Sequence, residues 1–271
     1  METNFSLKGK VIVVTGGTGI IGYSFIKSIV SADGIVGILG RNEKIAHQRV
    51  QEIQDIGGRA IALLADVTNE AQLLLARDKM LDAFGRIDGL VNAAGGNIPD
   101  AVVHPDQDIF SLNINALEQV MQLNLLGTIL PTQVFGASIQ QAGSGSIVNI
   151  SSVVSQLAVT KVLGYSLAKS SIDSYTKWFA TELAKRYGDA IRMNSIAPGF
   201  FLTEQNKTLL TNPDGTLTDR GNQVLQSTPF KRFGHPDELA GALIWLLSDA
   251  SKFVTGSKIT VDGGFTIFSG V

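Results

Sequence analysis

The first apolar run of the chain, Val11–Thr15, passes without a break into Thr15-Gly16-Gly17-Thr18-Gly19-Ile20-Ile21-Gly22 and then into a helical pattern. No other feature narrows the fold as much. Glycines between a strand and a helix permit a tight turn, let the backbone approach a pyrophosphate, and allow close helix–strand packing. The helix N-terminus that follows offers free N–H groups and the positive end of its dipole to an anion. The alternation then continues. Apolar runs at Ile35–Leu39, Ala60–Ala65, Gly89–Asn92, Ile147–Ile150, Ile191–Ile196 and Lys258–Val261 are separated by segments of helical length at 20–32, 43–57, 70–84, 116–141, 164–187 and 236–248. Continuous apolar strands alternating with helices predict an α/β fold, a doubly wound parallel sheet with helices on both faces. One catalytic domain over 1–271 is expected, with a polar, Gly- and Pro-dotted insertion at about 200–235 acting as a mobile lid over the substrate.

Composition removes several classes. Hydrophobic residues make up 44% of the 271 and charged residues 17%, enough for a large core. Twenty-two Lys and Arg against 24 Asp and Glu leave a net charge of −2, without the basic footprint of a nucleic-acid binder. There is no cysteine, and His47, His104 and His235 lack ligand-like spacing, so no metal is expected. No apolar stretch precedes Val11, which predicts no signal peptide and a cytoplasmic location. The uncharged run 119–160 carries Asn124, Pro131 and a Gly-Ser cluster, so it reads as a buried helix and strand rather than a membrane span.

The chemistry is concentrated at predicted strand ends. Gly40 and Arg41 close the second strand, where an acidic residue would take a ribose 2′-OH and an Arg would accommodate a 2′-phosphate. A surface Arg without a partner is the alternative. Asp66 and Val67 follow the third strand, with the carboxylate placed for an adenine amino group, and Asn92, Ala93, Ala94 and Gly95 lie at the end of the fourth. Tyr165 and Lys169 are four apart and share a helix face. An ammonium beside a tyrosine, together with an oxidised nicotinamide, favours the phenolate and lowers its pKa from about 10. Ser152, thirteen residues before Tyr165, is placed to bond a substrate carbonyl or hydroxyl.

Taken together, Thr15–Gly22, Asn92–Gly95, Asn124, Ser152, Tyr165 with Lys169, and Pro198-Gly199 resemble the short-chain dehydrogenase/reductase family over nearly the whole chain. The resemblance implies a Rossmann domain with a seven-stranded sheet, a nicotinamide cofactor and an Asn-Ser-Tyr-Lys site. Tyr165 would be the general acid/base, Ser152 would orient the reacting oxygen, and Lys169 would lower the tyrosine pKa and hold the nicotinamide ribose. Asn124 would support a proton relay through water. Pro198, Gly199, Phe201 and Thr203 fall on the cofactor side, and a homotetramer is implied. Ile20 stands where the family's commonest form has its middle glycine, so the loop is expected to turn one residue earlier, at Gly19.

The insertion, the C-terminal Gly263–Val271 and Gly95-Gly96-Asn97 resemble the sugar-acid branch, the D-mannonate oxidoreductases (fructuronate reductases). The implied reaction reduces the ketone of D-fructuronate to D-mannonate. Asn97, Ser152, Gln205, Asn206 and Arg220 are the candidate substrate contacts, with the planar fork of Arg220 as carboxylate anchor or as a plain surface residue. Three other readings stand beside it: a reductase of gluconate-type keto acids, a 3-oxoacyl carrier-protein reductase, and a non-enzymatic NADP sensor. Gly40 and Arg41 favour NADP over NAD, although no second basic residue is apparent near Gly16–Gly22.

Overall fold

A computed structural model describes residues 5–104, 106–203 and 206–270. The apolar runs form seven parallel strands in the order β3-β2-β1-β4-β5-β6-β7. They are β1 (Val11–Thr15), β2 (Ile35–Gly40), β3 (Arg59–Leu64), β4 (Gly89–Asn92), β5 (Gly145–Ile150), β6 (Ile191–Pro198) and β7 (Lys258–Val261). Alternate residues of β1 feed two cores. Val11 and Val13 pack with Met80, Phe135 and Ile147 on one face, and Ile12 and Val14 with Phe25, Ile53 and Leu243 on the other. The order of strand addition reverses between β1 and β4, which opens a crevice at the carboxyl ends of those strands.

Helices α1 (Ile20–Ser31), α2 (Glu43–Asp55) and α3 (Glu70–Phe84) follow the first three strands. Asn42 and Asn69 cap α2 and α3 by accepting from Ile45 and Gln72 N–H groups. The predicted single helix at 116–141 is broken: α4 (Ile114–Met121) passes through a π-helical turn, Gln122–Leu126, into α5 (Gly127–Gln141). The turn widens where the Asn124 amide takes the Val120 carbonyl at 2.8 Å. Such turns recur at functional sites. Helix α6 (Leu163–Tyr187) packs against β6.

The stretch expected as a lid insertion carries secondary structure of its own. It holds α7 (Lys207–Leu210) and α8 (Asp219–Gln226), with bridges Thr211 to Leu217 and Phe201 to Gly234. The last predicted helix begins with a 3₁₀ turn, Pro236–Leu239, before α9 (Ala240–Leu247). Among the described residues, no helix is long and apolar enough to cross a membrane. Of the apolar α6 residues, Leu183 is buried and Phe179 packs against the same core, while Trp178 stands 63% exposed.

Candidate active site

The crevice is a cleft of about 660 Å³. Thr18, Gly40, Arg41 and Asp66 line one end, and Ser152, Tyr165, Gly199 and Thr203 the other. Backbone shape carries much of its fit to a dinucleotide. Gly16 turns the chain in the left-handed region at φ 66°, and a Cβ there would lie 2.8 Å from the Ala93 carbonyl. At Gly22 a Cβ would lie 2.2 Å from the Gly16 carbonyl oxygen, so a glycine is required for α1 to meet the loop. Gly19, expected as the point of the turn, adopts an ordinary φ of −83° and serves as N-cap of α1. The turn therefore belongs to Gly16. No side chain caps α1 and its first turn holds no acidic residue, so its N–H groups face the cleft ready for a pyrophosphate.

A buried polar net fixes the loop ends. The Thr15 hydroxyl accepts from the Ala93 and Ala94 N–H groups, both at 3.1 Å. Asn92 donates to Thr132 and Asn149, and Asn149 to Thr176, so the Asn92 amide nitrogen ties strands and helices together, while its buried Oδ1 has no partner among the described residues. At the Arg41 end, Asp66 accepts from Thr68, and Arg41 reaches Asp66 at 3.5 Å. Burial pushes the Asp66 carboxyl up, but those bonds outweigh it and hold the group below the ordinary range. Arg41 itself is well exposed.

Four predicted residues converge at the other end. Ser152, at the turn into Val153–Ser155, is buried, and its hydroxyl acts on the Tyr165 phenol. Tyr165 is half-buried as a residue, but its phenol end is enclosed. That desolvation pushes it up to about 12, with Ser152 pulling the other way. Lys169 Nζ donates to the Ile150 carbonyl at 2.8 Å and lies 5.3 Å from the Tyr165 ring centroid. Burial pushes Lys169 down to about 8, and Asp173 opposes that. Asn124 donates to the Gly96 carbonyl and accepts from the Gly96 N–H. Gly95 permits the convergence, since a Cβ there would sit 2.5 Å from Asn124 Oδ1 and 3.3 Å from Lys169 Nζ.

With the protein alone in the cleft, burial dominates at Tyr165 and raises its pKa against the pull of Ser152, and the lysine ammonium is turned to the β5 carbonyl. A lowered pKa at Tyr165 requires further positive charge in the cleft.

The substrate candidates fare unequally. Asn97 Oδ1 is buried with no partner among the described residues. Gln205 lies outside the described residues. Asn206 lines the cleft, but its amide clasps its own loop, accepting from Thr203 N–H and donating to the Phe201 carbonyl. Arg220 Nη2 donates to the Thr160 carbonyl at 3.3 Å, on the segment between Ser152 and Tyr165. Sequence reasoning missed Arg49. It lines the cleft from mid-α2, with its guanidinium 3.7 Å over the Tyr23 ring and paired with Glu52 at 2.8 Å. A second basic residue therefore does stand near the glycine loop.

Comparisons with known proteins agree with this geometry. A family model described as enoyl-(acyl carrier protein) reductase matches residues 18–266. The chain is 40% identical over 275 residues to the uncharacterized oxidoreductase UxuB of Bacillus subtilis (strain 168), covering 98% of each chain. A candidate D-mannonate oxidoreductase from Haemophilus influenza, solved with bound NAD, is 37% identical over 98% of both chains with a TM-score of 0.89. A gluconate 5-dehydrogenase from Burkholderia cenocepacia J2315, in complex with NADP and tartrate, is 32% identical over 97% of both, with a TM-score of 0.87. With its glycine loop, cleft and Asn124–Ser152–Tyr165–Lys169 cluster, the chain belongs to the short-chain dehydrogenase/reductase family and is an oxidoreductase of alcohols and ketones.

Proposed function

We propose that the chain catalyses the reversible NADP-dependent reduction of a sugar-acid ketone, D-fructuronate to D-mannonate. The observation that carries the substrate class is Arg220. It is a lid cation that stands beside the cleft rather than in its lining, held among the described residues by one 3.3 Å bond to the Thr160 carbonyl, with a fork matched to a carboxylate. The whole-length likeness to a candidate D-mannonate oxidoreductase supports the same reading. A gluconate-type keto acid is the second reading, favoured by the likeness to the gluconate 5-dehydrogenase.

The nicotinamide cofactor supplies the hydride. Tyr165, neutral at physiological pH with its phenol near 12, gives its proton to the carbonyl oxygen as charge develops there. Ser152 donates to the same oxygen and orients it. Lys169, protonated below about 8, holds the ribose and stabilises the phenolate left behind. Asn124 fixes the Gly96 backbone at the cleft wall and supports a relay through water that returns a proton to Tyr165. Arg41 favours NADP, because Gly40 brings no carboxylate against a 2′-phosphate. The segment at about 200–235 acts as the lid, and the active form is a homotetramer. Arg220→Met tests the substrate side. It is expected to raise KM for D-fructuronate at least tenfold while leaving KM for an uncharged keto sugar in place. Equal effects on both substrates would remove the carboxylate anchor.

A further inference from the structure

One turn beyond Lys169 on α6, Asp173 is buried to 8% exposure, and the reaction as described does not use it. Its Oδ2 accepts from Lys258 Nζ of β7 at 2.7 Å. Its Oδ1 is buried and has no partner among the described residues. Lys169, in turn, is a buried ammonium with three donors and one hydrogen bond among the described residues, to the Ile150 carbonyl. A buried charge needs a counter-charge, and residues four apart on a helix are neighbours.

The surroundings leave one source for that counter-charge. The end of β5 gives the Ile150 carbonyl and, beyond β4, the backbone of Gly95 comes close, with the neutral Asn124 amide on the other side of that glycine. Tyr165 on α6 is neutral at physiological pH, and Lys258 on β7 is a like charge. Among the described residues, Asp173 is the charged group that favours the Lys169 ammonium.

We propose that Asp173 is a positioning residue for the reaction: its carboxylate supplies the counter-charge of the buried Lys169 ammonium, and Lys258 meters that charge by holding the other oxygen. The inference rests on the role given to Lys169 above. It predicts opposite consequences for the two halves of one ion pair. Asp173→Asn removes the counter-charge and leaves Lys258 as an unopposed like charge. Lys258→Met frees the whole carboxylate for Lys169. At the roughly 5–6 Å typical of residues four apart on a helix, a unit charge at an effective dielectric of about 20 moves a titration midpoint by about two pH units.

The test is the midpoint of Lys169, read by side-chain nitrogen NMR on the full chain and assigned with Lys169→Arg. It is expected to fall by about one to two pH units in Asp173→Asn and to rise by about one in Lys258→Met. The alkaline limb of kcat/KM for ketone reduction is expected to move in the same two directions. Asp173→Glu restores both readouts. If Asp173→Asn does not fold, Lys258→Met and Asp173→Glu still decide the matter. Midpoints unchanged in the variants that fold, with only the melting temperature lowered, would reduce the pair to a structural tie and overturn the proposal. Midpoints that move apart while the activity limb stays fixed would uphold the counter-charge and refute the role of Lys169 instead.

Discussion

Replacing Lys169 with Met should change how stability depends on pH. The wild-type lysine has an ordinary pKa of 10.5 and is pushed by burial down to about 8 in the folded chain. For a base with a depressed folded pKa, the linked stability is present above the unfolded value and is lost as pH falls through the folded one. Between pH 7 and pH 10 the folded lysine gives up its proton and the unfolded one largely keeps it. At 1.36 kcal/mol per pH unit, nearly two units of that interval count, so wild type should gain about 2.5 kcal/mol that the Met variant does not. The folded Tyr165 titrates near 12, above both pH values, and its unfolded contribution is common to the two proteins. The Met variant also leaves the Ile150 carbonyl unpaired, a cost of about 1–3 kcal/mol that is the same at both pH values. Urea unfolding of both proteins at pH 7 and pH 10, at matched concentration, reads the difference directly. Parallel pH dependences would show that Lys169 is not a desolvated ammonium, and the electrostatic account of the site would fall.

Four further outcomes are expected. Tyr165→Phe should bind cofactor nearly as wild type and lose about 10²–10⁴-fold in kcat, and half the wild-type rate would exclude its proton transfer. Arg41→Ala should raise KM for NADPH at least tenfold, since charge-assisted bonds are worth about 1.5–3 kcal/mol, and leave NADH almost untouched. Equal effects on both cofactors would mean that Arg41 does not read the phosphate. Gly22→Ala puts a Cβ 2.2 Å from a backbone oxygen that no side-chain rotation relieves; titration by cofactor fluorescence should show at least tenfold weaker binding, with about 1–3 kcal/mol lost in stability. Light scattering should report a tetramer at micromolar concentration, and a stable monomer would refute that assembly.

Local pattern made much of this molecule legible. The β-branched runs became strands with ends shifted by a residue or two, because ladder pairing rather than propensity decides where a strand stops, as at Gly40 opposite Leu64. Tyr165 and Lys169 share a face because helical spacing requires it. What stayed hidden depends on contacts distant in sequence. Asn124 widens a helix into a π turn, and no periodicity signals that. Arg49 enters the cleft because α2 packs its guanidinium on Tyr23 of α1, and Lys258 meets Asp173 across 85 residues. Asn206 reads as a polar lid residue, yet its amide is committed to its own loop. The enclosure of the Tyr165 phenol, which pushes it up to about 12 in the protein alone, cannot be read from spacing.

The central claim is a sugar-acid oxidoreductase built on Tyr165. The most direct measurement is kcat/KM for D-fructuronate with NADPH, beside a gluconate-type keto acid and a 3-oxoacyl thioester, with the product identified by NMR. The account predicts D-mannonate as product, a kcat/KM of about 10⁴ M⁻¹s⁻¹ or more, and at least a tenfold preference over both competitors. Cofactor binding without turnover of any of the three, or a tenfold preference for either competitor, would contradict it.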